Sequence, residues 1–336
     1  MKIYKIIFFN SMIMGTMIAV SSYSWMSMWM GLEINLLSVI PLFSSKKDML
    51  SSESSMKYFI TQAMASMVLL TSTIMMLNMN EFIFPLMNKS FSIMINTALM
   101  TKLGAAPFHF WFPEVIEGLN WNNSLILLTW QKIAPMMLIM NMNVNKTFIL
   151  SIIIMCLVIS TVSGFNQVSL RKIMAFSSIN HIAWMLSTMM MSYSAWTIYF
   201  IIYSMLTTMI SYIFNTTKSF YLNQLNNIMN DSKLTKLSLL LNFLSLGGLP
   251  PFLGFLPKWI VINWLTNNSM MMMTGILIVT TLIMLFIYMR LMMASLMLSV
   301  NEPKLPIIKV NNKVLMTMNM IMMMGLIVCT YTMNMM

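Results

Sequence analysis

The chain has 336 residues, 59% of them hydrophobic and only 8% charged, with a formal net charge of +11 and a mean hydropathy of +0.80. A soluble core cannot absorb that much apolar surface, and the short alternating segments of a transmembrane barrel are missing, so the pattern is that of an all-α polytopic membrane protein. Two His, two Cys and eight acidic residues offer little from which to build a metal centre, and no Gly-rich phosphate loop, CxxC pair or nucleophile elbow is present.

Apolar runs able to cross about 30 Å of hydrocarbon predict about eleven spans, near residues 3–21, 25–43, 57–78, 91–113, 122–141, 148–168, 173–192, 195–216, 236–265, 272–298 and 314–333. The first run lacks a small-residue cleavage site and reads as a retained span rather than a signal peptide. Span two holds Glu33 within Trp29-Met30-Gly31-Leu32-Glu33-Ile34-Asn35. Span four carries Lys102 just before a Gly/Pro interruption, and span five carries Lys132 near Pro135. Cys156 and Cys329 lie far apart in apolar runs and read as free thiols. Span seven contains His181, in Ser177-Ser178-Ile179-Asn180-His181. The polar, Asn-rich loop 217–235, with Asn223, Asn226, Asn227 and Asn230, has no catalytic pattern and reads as a docking surface. Span nine contains a second interruption, followed by Lys258.

With the N-terminus on one side, loops of that side hold thirteen Lys and Arg residues and the opposite loops hold two, Lys89 and Lys146. This bias predicts an N-terminus on the cytoplasmic or matrix side. The basic excess therefore sets topology and implies no nucleic-acid partner. Met supplies 48 residues and serves as adaptable apolar filler; together with scarce Arg, it suggests an AT-rich animal mitochondrial genome.

The two interruptions match. Gly104-Ala105-Ala106-Pro107-Phe108-His109-Phe110-Trp111-Phe112-Pro113-Glu114 aligns with Gly248-Leu249-Pro250-Pro251-Phe252-Leu253-Gly254-Phe255-Leu256-Pro257-Lys258 at an offset of 144 residues. The offset carries the first five spans onto spans six to ten. Five is odd, so the copies are expected to have opposite orientations, as in transporters built from inverted repeats. The expected layout is one membrane domain over 1–336, with a first repeat at 1–145, a second at 146–300, each with a broken helix, and a C-terminal loop and helix at 301–336.

A charge at mid-membrane depth costs about 2.5–3.5 kcal/mol on insertion scales, so each buried ionisable group invites two readings. Glu33 is either a structural acid or a proton-accepting partner. Burial and pairing act in opposite senses on proton affinity, so a Glu–Lys contact that loosens is a proton switch. Lys102, Lys132 and Lys258 are either structural or relay groups. His181, four residues beyond the position onto which the offset maps Glu33, is either a relay or a hydrogen-bonded packing histidine. His109 reads as structural, and Glu114 and Glu117 as interfacial charges.

The Glu33 motif, the run from Lys102 to Val115, Trp130-Gln131-Lys132, Arg171 to His181, and Gly247-Gly248-Leu249-Pro250-Pro251-Phe252 together resemble the chain 2 family of mitochondrial NADH–ubiquinone oxidoreductase, in its insect or other arthropod form. The resemblance covers nearly the whole chain. It implies an antiporter-like core subunit in the membrane arm of respiratory complex I, in the mitochondrial inner membrane, with a matrix-side N-terminus and a C-terminus on the intermembrane-space side. It implies proton translocation coupled to NADH oxidation and ubiquinone reduction in other subunits, which hold the flavin, iron–sulfur clusters and quinone site. No cofactor is expected in this chain. Glu33 and Lys102 would form an ion pair, Lys132 the central relay and Lys258 the terminal lysine. Expected partners are antiporter-like chain 4, small chain 4L, accessory subunits and lipids such as cardiolipin. The residues alone also permit a free-standing cation–proton antiporter or a scaffold that spaces its neighbours.

Overall fold

The computed structural model describes residues 3–45, 48–79, 85–142, 145–225, 233–297, 312–325 and 330–331. They form α1 (Ile3–Ser21), α2 (Trp25–Phe43), α3 (Met49–Met79), α4 (Pro85–Leu103), α5 (Trp111–Gly118), α6 (Trp121–Leu128), α7 (Trp130–Asn141), α8 (Lys146–Gly164), α9 (Leu170–Met189), α10 (Tyr193–Thr217), α11 (Lys233–Gly247), α12 (Phe255–Asn267), α13 (Met271–Met297) and α14 (Asn312–Met323). Among the described residues, six helices (α1, α2, α3, α8, α10 and α13) are long and apolar enough to cross a membrane. Asn226, Asn227 and Asn230 of the expected docking loop, Cys329, and Lys2, Lys46, Lys47, Lys304 and Lys309 of the basic loops lie outside the described residues.

Some boundaries differ from the apolar runs. Span three begins earlier, at Met49, because Ser51, Ser54 and Ser55 turn their hydroxyls back onto carbonyls of the preceding turn. Serine is thus accommodated inside a helix that hydropathy starts later. Span five is two helices, α6 and α7, meeting at Thr129. There the Thr129 N–H and hydroxyl both donate to the Leu125 carbonyl, at 3.0 and 2.7 Å. Spans four and nine are each divided, as α4/α5 and α11/α12.

The chain falls into two compact units, Met1–Ile152 and Ile153–Met336. In the first, α3 packs on α2, α4 and α5, and α4 packs on α7. In the second, α10 packs on α9, α11 and α12, and α11 packs on α13. These are the same neighbours, 144 residues on.

Both interruptions are built alike. Gly104 (φ 73°) and Gly248 (φ 78°) adopt the left-handed conformation that other residues resist. Gly104 N–H donates to Thr101 O and Ala105 N–H to Met100 O, both at 3.1 Å; Gly248 N–H donates to Ser245 O at 3.0 Å and Leu249 N–H to Leu244 O at 3.3 Å. Each pair of bonds is a Schellman cap that closes the helix and satisfies two of its last carbonyls. Pro107 and Pro251 both follow a cis peptide bond.

Aromatic contacts tie together the helices around each interruption. In the first unit Phe43, Tyr58, Trp111 and Phe112 make successive edge-on contacts with centroids 5.4, 5.8 and 5.4 Å apart, tying α2 and α3 to α5. In the second, Phe214, Phe243 and Tyr288 link α10, α11 and α13, at 6.1 and 5.7 Å. The second interruption is also roofed: Gly325, just beyond α14, lies directly against the backbone of Phe252 and Leu253.

The helix that carries Glu33 is held by close backbone approach. A Cβ on Gly31 would lie 2.8 Å from Ala19 Cα, and one on Gly15 would lie 2.8 Å from Asn35 N. Small residues let α1 and α2 meet this closely, the usual basis of helix association in lipid. Gly31→Leu is expected to force them apart at a cost of about 1–3 kcal/mol, read as a lower yield of assembled protein and a lower melting temperature in detergent.

Candidate functional site

In the first unit, Lys102 occupies the last turn of α4, at the edge of the interruption, and is 7% exposed. Its side chain lines a cavity shared with Leu32, Asn35 and Leu36 of α2, Tyr58 and Gln62 of α3, and Gln131 and Pro135 of α7. The cavity has room for about one water molecule. Across it, Asn35 Nδ2 donates to Gln131 Oε1 at 2.9 Å, and Gln131 Nε2 donates back to Asn35 Oδ1 at 3.0 Å. The Tyr58 hydroxyl donates to the same Gln131 Oε1 at 3.4 Å.

Glu33 on α2 and Lys102 on α4 make no direct ion pair among the described residues. The buried Glu33 Oε1 has no hydrogen-bond partner among the described residues. The family resemblance implies an ion pair between Glu33 and Lys102, and the two side chains are not in contact here. Glu114 instead accepts from Lys57 at 3.0 Å, and Lys57 also meets Glu53 at 3.0 Å. That cluster is solvent-accessible, in keeping with an interfacial charge.

Lys132 is 1% exposed, on α7. Its ammonium lies 5.8 Å from the centroid of the Phe112 ring, the ring that also fills the space beside Gly104. A cation over an aromatic face gains most where water is excluded. His109 rests its Nδ1 at 3.2 Å from Pro107 O, inside the interruption, a local contact of structural type.

In the second unit, Lys258 is 6% exposed and spans the interruption. Its Nζ donates to Leu246 O at 3.0 Å and to Gly247 O at 2.8 Å. These are the carbonyls at the end of α11 that the Schellman cap leaves over. The ammonium therefore completes the helix end and sits at the negative pole of its dipole. Trp184 of α9 offers its ring 5.7 Å away. In the first unit the carbonyls before the interruption find neutral donors: Trp111 Nε1 to Thr101 O at 3.1 Å and Gln62 Nε2 to Lys102 O at 3.5 Å.

His181 is buried on α9 with Nδ1 2.9 Å from the Tyr199 hydroxyl and its ring 5.0 Å from that of Tyr203. A cavity with room for about one water joins it to Ser245, Gly254 and Pro257, and so to the second interruption. In the first unit the buried Lys102 at a helix end lines the water-sized space; in the second Lys258 completes the helix end and His181 lines the space beside the interruption. Among the described residues, no group of three or more His, Cys, Asp or Glu could hold a metal ion.

Residues 22–285 match the family model described as NADH:quinone oxidoreductase/Mrp antiporter, TM. The chain is 51% identical to NADH-ubiquinone oxidoreductase chain 2 of Anopheles gambiae over 299 residues, covering 89% of this chain and 87% of that one. It is 48% identical to the chain 2 of Aedes aegypti over 334 residues, covering 98% of each. The chain belongs to the NADH-ubiquinone oxidoreductase chain 2 family. Its fold is similar to that of a chain in respiratory complex I from Thermus thermophilus with bound aureothin, with a TM-score of 0.87 at 19% identity over 97% of this chain and 78% of that one. It is therefore an all-helical membrane protein of the antiporter-like type found in complex I.

The structure adds residues that the sequence reading left unassigned: Asn35, Gln131, Tyr58 and Gln62 around Lys102, and the rings of Phe112 and Trp184 beside the other two lysines. The available signal was an uncharged amide inside an apolar span, at 35, 62 and 131. Lys258→Met keeps the length of the side chain and removes the donor. It is expected to cost about 1–3 kcal/mol for each of the two carbonyls left without a partner, seen as a lower melting temperature of the purified assembly.

Proposed function

We propose that this chain is a proton-translocating subunit in the membrane arm of an inner-membrane NADH:ubiquinone oxidoreductase, with no redox chemistry of its own. The observation that carries the proposal is the burial of three lysines in apolar helices, with Lys102 lining a water-sized cavity and Lys258 bound to the carbonyls at the end of α11. Membership of the chain 2 family supports the assembly, the mitochondrial location and a partnership with other membrane-arm subunits. We further assign the N-terminus to the matrix side, from the lysine and arginine bias, and the C-terminus to the intermembrane space. Chain 4, chain 4L, accessory subunits and cardiolipin are proposed as neighbours, and flavin, iron–sulfur clusters and quinone as tenants of other subunits.

In the first unit, the Glu33 carboxylate is the acidic partner that favours the charged form of Lys102. A conformational signal that changes their separation changes the proton affinity of Lys102, which then exchanges a proton with Lys132 through water. In the second, Lys258 holds its proton against the α11 carbonyls and gives it up when that contact lengthens, with His181 and its cavity as the polar route beside it. Moving one charge across 100 mV takes about 2.3 kcal/mol, which is under about two units of proton affinity. Modest rearrangement of a buried pair is enough. The two interruptions make Lys102 and Lys258 part of a helix end rather than of a continuous cylinder.

Lys102→Ala and Lys258→Ala are each expected to slow proton pumping by roughly tenfold or more, equivalent to about 1.4 kcal/mol on the limiting step. The measurement is the proton-to-electron ratio and NADH:quinone turnover of the assembled complex in sealed vesicles. An assembled Lys258→Ala complex that kept its full ratio and rate would remove that residue from the pathway, and the same result for both variants would leave a scaffold.

A further inference from the structure

We infer that Asn35 and Gln131 are positioning residues for proton transfer within the first unit: their reciprocal amide pair closes the water path between Lys102 and Lys132. The inference rests on the proton-relay reading above. Its ground is geometric. Two hydrogen bonds, at 2.9 and 3.0 Å, join α2 to α7, and Tyr58 occupies a further acceptor site on Gln131. The cavity beside the pair is the one that Lys102 lines; Lys132, the residue after Gln131 on α7, holds its ammonium 5.8 Å from the centroid of the Phe112 ring, which packs beside Gly104 at the end of the helix that carries Lys102.

Packing does not explain the pair. Leu32, Leu36 and Pro135 surround it, and replacing two buried hydrogen-bonded groups by apolar ones of like shape is close to neutral for stability. Chemistry does explain it. A carboxamide donates and accepts hydrogen bonds but neither gains nor loses a proton near neutral pH, so it holds water in place without trapping the charge that passes. With the amides bound to each other, there is room for about one water. With the amides parted, each exposes a donor and an acceptor to further water. A proton then leaves the Lys102 ammonium for a bridging water, and a water of the same file delivers a proton to the neutral Lys132 amine. One N–H bond breaks, one forms, and the net charge of the site is unchanged. Because Asn35 shares α2 with Glu33, movement of that helix acts on both the charge at Lys102 and the water file.

The test uses the assembled complex in sealed vesicles, with the double variant N35L/Q131M, the exchanged variant N35Q/Q131N and Lys102→Ala side by side. N35L/Q131M is expected to lower coupled turnover by roughly tenfold to a hundredfold, the scale set by a misplaced reacting group. It should also raise the solvent deuterium isotope effect, while the amount of intact complex stays near normal. N35Q/Q131N restores an amide pair and is expected to recover most of the rate and the normal isotope effect. Normal pumping by N35L/Q131M, or an exchanged variant as defective as the double variant, overturns the inference. If the double variant does not assemble, the near-isosteric Gln131→Met takes its place with the same expectations. If that also fails to assemble, the pair is a folding element and the inference is overturned. A defective Lys102→Ala beside a normal N35L/Q131M removes only the amide pair; a normal Lys102→Ala removes the relay itself.

Discussion

The controlling constraint in this chain is the fate of backbone carbonyls where a helix stops inside an apolar interior. In water such groups would be solvated; in hydrocarbon each must meet a donor from the protein. The two interruptions solve the first half of the problem identically, with a left-handed glycine and a Schellman cap. They differ in the second half. The earlier one supplies a side-chain amide to Lys102 O and adds an indole as a second donor to the already capped Thr101 O, whereas the later one supplies the Lys258 amino group to both carbonyls left over. A requirement of the fold therefore holds an amino group at depth in the second unit, and a group that satisfies a helix end through its hydrogens is sensitive to any motion of that end.

Two of the lysines also rest against aromatic faces, Lys132 on Phe112 and Lys258 on Trp184. A ring suits a group that changes protonation state. It attracts the cation through its quadrupole, and it remains an ordinary apolar neighbour when the amine is neutral. Phe112 has a second task, since it also packs beside Gly104. The interruption and the ammonium of the next helix thus share one side chain, which gives motion at α4 and α5 a direct route to Lys132.

The features most legible in the sequence were those that cost most to keep in a membrane. Lys102, Lys132 and Lys258 stand out because an ammonium rarely survives by accident in an apolar run. The interruptions stand out because Gly and Pro keep their spacing across 144 residues. Boundaries were harder to read. Serine at 51–55 and the hinge at Thr129 turn on hydroxyls that bond to the helix's own carbonyls, and hydropathy carries no sign of this. The Asn35–Gln131 pair was invisible because its halves lie on different spans, and one sequence gives no pairing between distant amides. The same limit applies to Glu33 and Lys102. Their relation was readable as charge, yet one sequence gives no distance between residues on different spans.

The contact of Gly325 with Phe252 and Leu253 gives the tail of the chain a specific duty. Those two residues are the point where the second interruption turns, so the tail works as a keystone on the arch that presents Lys258. Residue 325 has space only for hydrogen. A variant that shortens the chain before it, or installs a bulkier residue there, would disturb the ammonium's surroundings while leaving every proposed relay residue in place.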